Sequence, residues 1–153
     1  MKALGIGATA LLLAACATNS QNQRAELAVT LTGLQEVPGP GDTDGTGTAL
    51  IRVNPGEGQL CWDLYARQIG PATAAHIHRG AAGSAGPPVV TLATPDAAGR
   101  SQGCVAIEQG LAREIAWRGH EFYVNVHNAE YPAGAIRGQL RGGAIRSQRQ
   151  RDR

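Results

Sequence analysis

The sequence predicts an all-β domain, a Greek-key sandwich or small barrel of about eight strands. Three observations support this fold class. Strand-like runs recur at short spacing from Ala25 onward, clusters of Gly, Pro, Asp and Asn separate them, and 21 of the 153 residues are glycines, which suits a fold rich in turns. The length fits one domain once a targeting segment is removed.

Eight segments carry the strand pattern, and alternation along each one assigns a core face. In the third segment Leu60, Trp62 and Leu64 share that face, and in "YVNVHN" Val124 and Val126 do. In chain order, the segments are Glu26–Thr32, Thr46–Asn54, Gly58–Ala66, Thr73–Arg79, Pro88–Ala93, Ser101–Ile107, Phe122–His127 and Ala135–Leu140.

One segment departs from the strand pattern. Between Glu108 and Arg118, Leu111, Ala112 and Ile115 have helical spacing, which predicts one or two helical turns. The chain contains no GK[ST] phosphate-binding loop and no GxSxG nucleophile motif, so neither of these motifs indicates an activity.

Residues 1–15 have the features of a signal peptide. Lys2 precedes the apolar run Ala3–Ala15, which is too short to span a bilayer as a stable helix. The run ends in "LAAC" at Cys16, which resembles the lipobox of bacterial lipoproteins. That resemblance implies cleavage before Cys16 and lipidation of its thiol. The alternative is an ordinary secretory signal with an incidental cysteine.

Lipidation would attach the mature protein to a membrane in the cell envelope. Ala17 follows the cysteine, in place of the aspartate associated with inner-membrane retention, so we expect the outer membrane, with the protein facing the periplasm or the cell surface. The predicted organisation is then a lipidated cysteine with a flexible tether (residues 16–24), one domain (residues 25–141) and an Arg-rich disordered tail (residues 142–153).

The uneven distribution of charge along the chain bears on its possible partners. The segment after Leu140 holds five arginines and one aspartate, which would either touch anionic lipid headgroups or remain solvated. Export and the lack of basic residues interleaved with aromatic ones exclude a nucleic-acid role. A protein partner in the envelope stays open.

Two cysteines remain inside the predicted domain, Cys61 and Cys104. Export places them in an oxidising compartment, so we expect a disulfide. It would close a loop of about 44 residues and stabilise the domain by roughly 4 kcal/mol in the chain-entropy model. Two buried free thiols are the alternative.

The stretch "AAHIHRG" predicts half of a metal site. His76 and His78 occupy alternate positions of a strand, so both imidazoles lie on the face away from the core. His127 also lies on a non-core face, whereas His120 precedes a strand and is expected in a loop. Three imidazoles suit copper or zinc, with an open coordination position. Additional ligands or supporting carboxylates could come from Glu36, Asp63 or Glu130. The alternative is a surface pair of histidines without a ligand.

Three longer motifs resemble one family. "LTGLQEVPGPGDTDGTGTA" (residues 31–49), "AAHIHRGAAGSAGPPVVTL" (residues 74–92) and "YVNVHNAEYPAGAIRGQL" (residues 123–140) resemble the CHRD domain, which occurs in chordin and in many secreted bacterial proteins. Ala135 and Asn128 depart from the glutamate and threonine common in that family. The alanine disfavours a carboxylate ligand at that position.

A second, weaker resemblance is to copper-zinc superoxide dismutases, which are eight-stranded Greek-key barrels. His76, His78, His127 and Arg137 match the type and order of their copper ligands and anion-guiding arginine. This implies a superoxide-dismutase-like fold and a catalytic role for Arg137, which would attract superoxide electrostatically. The alternative for Arg137 is a solvated or carboxylate-paired residue.

Three functions therefore remain open. The first is binding of copper or zinc in the envelope without turnover. The second is a redox enzyme of the superoxide dismutase type. The third is a metal-free structural or protein-binding module. The metal content of the purified protein separates the third function from the other two, and superoxide turnover separates the second from the first.

Overall fold

The computed structural model describes residues 23–142 and 144–147, and this part of the chain is mostly β-structure. One helix, α1 (Gln109–Trp117), lies where helical spacing predicts it, and the 3-10 helices Gly33–Gln35 and Gly119–Glu121 flank β-strands. All eight predicted strands are present, which confirms the all-β class. The strands are β1 (Gln23–Thr32), β2 (Thr46–Asn54), β3 (Gln59–Arg67), β4 (Ala72–Arg79), β5 (Pro88–Leu92), β6 (Arg100–Ala106), β7 (Phe122–Asn128), β8 (Ile136–Gln139) and β9 (Ala144–Ser147).

The first eight strands form one antiparallel sheet in the order β5-β4-β7-β8-β1-β2-β3-β6. Strand β7 returns beside β4, and β6 returns beside β3, as in Greek-key connections. The edge strands β5 and β6 approach each other, and the Ser101 hydroxyl donates a 2.6 Å hydrogen bond to the Ala93 carbonyl just after β5. The sheet thus rolls into a nearly closed barrel.

The barrel interior holds the side chains that alternation assigned to the core. Leu60, Ile77 and Val124 are fully buried, and Trp62 is 6% exposed. Helix α1 packs on β1, β2 and β3 and adds Ile115 to the same core. Each such aliphatic side chain contributes about 1.5–3 kcal/mol by its burial, so the inward faces of the strands supply most of the driving force for closure.

A disulfide joins two strands of the barrel. Cys61 on β3 and Cys104 on β6 are direct cross-strand partners, and their sulfurs are bonded. The predicted disulfide is therefore confirmed. It lies beside Trp62, whose Nε1 donates a 2.9 Å hydrogen bond to the Ser101 hydroxyl, so covalent and polar links hold this part of the sheet.

The ordered structure extends past both predicted boundaries of the domain. Strand β9 pairs with the start of β1, with Gln23 opposite Ser147 and Glu26 opposite Ala144. Two residues assigned to the tether (16–24) and four assigned to a disordered tail (142–153) are therefore strand residues, because backbone pairing orders them without any hydrophobic periodicity. The predicted signal peptide, Cys16 and the rest of the tail lie outside the described residues. No helix in the described ranges is long and apolar enough to cross a membrane.

Candidate metal site

The outward face of β4, β7 and β8 carries the candidate site, and loops cover this face. The exposed fractions are 8% for His78, 3% for Tyr123, and 2% each for Asn125 and Arg137. These side chains point away from the barrel core, as alternation predicts, yet they do not face solvent. Segments 36–45, 80–87 and 129–135 supply the groups that bury them.

Three histidines converge on this face. One ligand nitrogen from each of His76, His78 and His127 lies within 4.8 Å of the others. His76 Nδ1 and His127 Nε2 are 3.2 Å apart, and the ring centroids of the three imidazoles are 5.2 to 5.9 Å apart. The register explains the cluster: β4 and β7 are neighbours, with His76 opposite Asn125 and His127 opposite Ala74. The predicted convergence of these imidazoles is confirmed.

Backbone carbonyls place a proton on Nδ1 of two rings. His78 Nδ1 donates to the Gly86 carbonyl at 2.8 Å, and His127 Nδ1 donates to the Pro132 carbonyl at 3.0 Å. A carbonyl oxygen only accepts, so Nδ1 carries a proton in both rings, which leaves Nε2 as the atom that can offer a lone pair. The Nε2 of His127 faces His76 Nδ1 at hydrogen-bonding distance, 3.2 Å. His78 Nε2 is buried, and it has no hydrogen-bond partner in the described residues. An unpaired acceptor in this position requires an explanation.

The surroundings disfavour protonated imidazole. Burial lowers the pKa of His76, and the neighbouring His127 and His78 lower it further. Burial also lowers the pKa of His78, and His127 and Arg137 act in the same direction, against the bond to Gly86. Both rings therefore hold lone pairs available to an ion at neutral pH.

Arg137 is a buried cation behind the histidines. Its guanidinium carbon lies 3.5 Å from the centroid of the Tyr123 ring, and the His78 ring stacks on Tyr123 with centroids 4.9 Å apart. Its Nη2 donates to the Ala81 carbonyl at 3.0 Å and to Gln139 Oε1 at 3.2 Å. A guanidinium that is 2% exposed meets a solvent anion only if the segment 80–87 moves. Arg137 is therefore not the solvated residue that one alternative described, because this segment covers it.

Glu36 approaches the same face from the loop after β1. Its Oε2 accepts a 3.0 Å hydrogen bond from Asn125 Nδ2, and its Oε1 is buried without a partner among the described groups. Burial raises the pKa of Glu36 to about 7, although Arg137 and the bond to Asn125 lower it. A Cβ on Gly134 would overlap the carboxylate, so only glycine allows the backbone to pack on it.

The other candidate residues lie elsewhere. His120 belongs to the 3-10 helix before β7, with a side chain that is 71% exposed, and it is absent from the histidine cluster, as expected. Asp63 forms an ion pair with Arg52 on the neighbouring strand. Neither Glu36 nor Glu130 joins the three histidines as a ligand group in the described structure.

Sequence reasoning missed the residues that orient the histidines. Alternation placed Tyr123 and Asn125 on the outward face with His127, and that signal could have marked them as neighbours of the site. The carbonyls of Gly86 and Pro132 carry no such signal, because any residue offers a carbonyl and only the loop path brings it to an imidazole.

The comparisons with known proteins agree with the motifs in the sequence. No curated protein and no solved structure gives a significant match to the chain. The family model described as the CHRD domain matches residues 27–140. This match spans the strands from β1 to β8 and all three histidines of the cluster. The chain therefore belongs to the CHRD domain family.

Proposed function

We propose that this CHRD-domain protein is an exported lipoprotein that binds one copper or zinc ion in the cell envelope, without turnover. The ligands are Nδ1 of His76 and Nε2 of His78 and His127. The observation that carries the proposal is the buried, unpartnered Nε2 of His78 beside two other imidazole nitrogens within 4.8 Å. An ion at the centre of the three would satisfy this atom.

The spacing of the nitrogens supports this ligand set. Two nitrogens bound to one tetrahedral ion at about 2.0–2.1 Å lie about 3.4 Å apart, and His76 Nδ1 and His127 Nε2 are 3.2 Å apart. The largest separation, 4.8 Å, would need to shorten by roughly 1.4 Å to reach tetrahedral spacing.

The carbonyls of Gly86 and Pro132 support the proposal in a second way. Histidines that ligate metals usually donate their other ring N–H to a carbonyl or carboxylate, which fixes the tautomer and the ring orientation. His78 and His127 both do so. The enzyme of the superoxide dismutase type receives less support, because the arginine it requires is covered by the segment 80–87.

The test is metal binding by the purified chain and two matched histidine variants. We expect about one Cu(II) or Zn(II) per chain, with affinity that falls as acid protonates the imidazoles. His78→Ala should reduce the affinity by about 100-fold or more, since losses of 10–100-fold follow even from removing outer-shell partners. His120→Ala should change the affinity little, because His120 lies outside the cluster.

Two results would contradict the proposal. The first is purified protein, prepared through its native export route, that contains no metal and takes up none. The second is equal metal affinity of His78→Ala and the unaltered chain. The metal-free module would then be the better description of this domain.

A further inference from the structure

We propose that the histidine site holds copper as Cu(I) in preference to Cu(II), because the buried cation of Arg137 opposes a second positive charge on the ion. This inference rests on the proposed metal-binding function and specifies its cargo. It identifies the ligand as reduced, monovalent copper, which makes the protein a binder of Cu(I) in an oxidising compartment.

The ligand set itself favours the lower charge. The three donors are neutral imidazoles, and no carboxylate or thiolate joins them in the described part of the chain. Cu(II) prefers square-planar or tetragonal surroundings with four in-plane donors, whereas Cu(I) also accepts three donors. The site therefore lacks both the fourth donor and the negative charge that would stabilise Cu(II).

Arg137 lies close to the ligands, and solvent and salt screen its charge weakly. Tyr123 separates the two groups: the guanidinium carbon is 3.5 Å from the centroid of its ring, and the His78 ring is 4.9 Å from it. The guanidinium thus lies within about 8.5 Å of the His78 imidazole. It is 2% exposed, so solvent and salt screen it less than a surface charge.

Two hydrogen bonds hold the arginine beside the site. It comes from β8, which lies on the opposite side of β7 from β4, and Nη2 is bound by Ala81 and Gln139. The guanidinium therefore repels any cation bound at the His78 imidazole. At a given distance this repulsion is twice as large for Cu(II) as for Cu(I).

Glu36 is an acidic side chain whose charge acts on Arg137. Its removal is expected to change the copper preference in the direction opposite to the removal of Arg137. It reaches Asn125, which is the cross-strand partner of both His76 and Arg137. An ionised Glu36 partly compensates the guanidinium and favours Cu(II). Removal of the Arg137 charge and removal of the Glu36 charge should therefore shift the copper preference in opposite directions. A merely structural role of these residues would not have this effect.

The experiment measures the Cu(II)/Cu(I) reduction potential of the copper-loaded chain at about pH 8, where a carboxyl with a pKa near 7 is ionised. Affinities for Cu(I) and for Cu(II) are measured separately by competition with chelators. In the unaltered chain, Cu(I) should bind more tightly than Cu(II). Arg137→Gln should shift the ratio about tenfold toward Cu(II), which lowers the potential by about 59 mV for one electron.

Glu36→Gln should shift the ratio in the other direction and raise the potential. Arg52→Gln is the matched control, since Arg52 is a half-exposed arginine paired with Asp63, and it should leave the potential unchanged. If Arg137→Gln does not fold, the Glu36→Gln variant decides the sign. Tighter binding of Cu(II), or a Glu36→Gln shift that is absent or of the wrong sign, overturns the inference. Absence of any bound copper, with zinc still retained, also overturns it, whereas failure to bind any metal contradicts the proposed function itself.

Discussion

Burial of Glu36 makes its protonation part of the folding equilibrium. Its pKa is raised from 4.5 to about 7 in the folded protein, chiefly by desolvation. Between these two values the folded state holds a proton that the unfolded state releases, so this group lowers the unfolding free energy as pH rises through that window. The loss is complete above about pH 7.

Glu36→Gln should therefore stabilise the domain at neutral and alkaline pH. Glutamine preserves the oxygen that accepts from Asn125 Nδ2 and cannot ionise. We expect about 2 kcal/mol more unfolding free energy than the unaltered chain above about pH 7, and little difference near pH 4. Denaturant unfolding across this range measures it. Glu57→Gln, at an exposed residue, is the control. A difference that does not vary with pH would contradict the prediction.

The histidines contribute a pH dependence of the opposite sign. The pKa values of His76 and His78 are lowered in the folded, metal-free protein, so the unfolded chain binds more protons below the ordinary value of 6.5. Their contribution to stability is present above that value and is lost as pH falls through the lowered pKa values. A comparison of variants, as with Glu36→Gln, separates the pH dependence of stability that comes from Glu36 from the one that comes from the histidines.

Among the elements, the loop between β4 and β5 orients His78. The loop returns so close to β4 that a Cβ on Gly86 would overlap the carbonyl oxygen of Arg79. The Gly86 carbonyl accepts a hydrogen bond from His78 Nδ1, and the Gly86 N–H donates to the Tyr123 hydroxyl at 3.1 Å. The loop therefore determines both the orientation of the imidazole and the nitrogen it presents.

Gly86→Ala should weaken metal binding while the barrel stays folded. The added methyl group forces the loop away from β4 and breaks the bond from His78 to the Gly86 carbonyl. Loss of such a supporting contact costs 10–100-fold in metal affinity, which isothermal titration with Zn(II) would measure. Gly110→Ala is the matched control, because a Cβ there meets no atom within 4 Å. Unchanged affinity in Gly86→Ala would show that the loop does not orient the ligand.

Sequence patterns predicted the strands more successfully than the loops, and the reason is physical. Alternation is a property of side chains, so it identified β4 and β7 and the outward direction of His76, His78 and His127. Contacts made by backbone carbonyls, such as that of Pro132 with His127, depend on a chain path that residue types do not specify. Strand β9 was missed for the same reason, since backbone pairing with β1 orders it.

At the scale of the whole molecule, the cross-links between strands and the histidine cluster occupy different parts of one barrel. The disulfide and the hydrogen bonds of Ser101 lie on β3 and β6, whereas the histidine cluster lies on β4 and β7. The first described residue, Gln23, is paired with Ser147 near the other end of the chain. A tether attached at β1 would therefore meet the barrel beside β9.

Replacement of Cys16 tests how the whole protein is located. If the "LAAC" motif is a lipobox, Cys16→Ser should abolish lipid labelling, and the chain should then be released in soluble form or retain its signal peptide. Cell fractionation and labelling with a radioactive or clickable fatty acid measure both outcomes. Replacing Cys61 and Cys104 together should leave labelling intact, because these residues form the internal disulfide. Normal membrane retention and labelling of Cys16→Ser would refute the anchor.

The two carbonyls that hold His78 and His127 also matter to anyone who would transplant this site into another scaffold. Copying the three imidazoles onto adjacent strands of a designed barrel would reproduce their positions but leave each ring free to flip and exchange tautomers. The designer would also need a connection that returns over the sheet as tightly as the one containing Gly86, with glycine where a Cβ would overlap the strand. A search of genomes or designs for the His-x-His pattern alone would thus collect many barrels in which no backbone carbonyl orients the imidazoles.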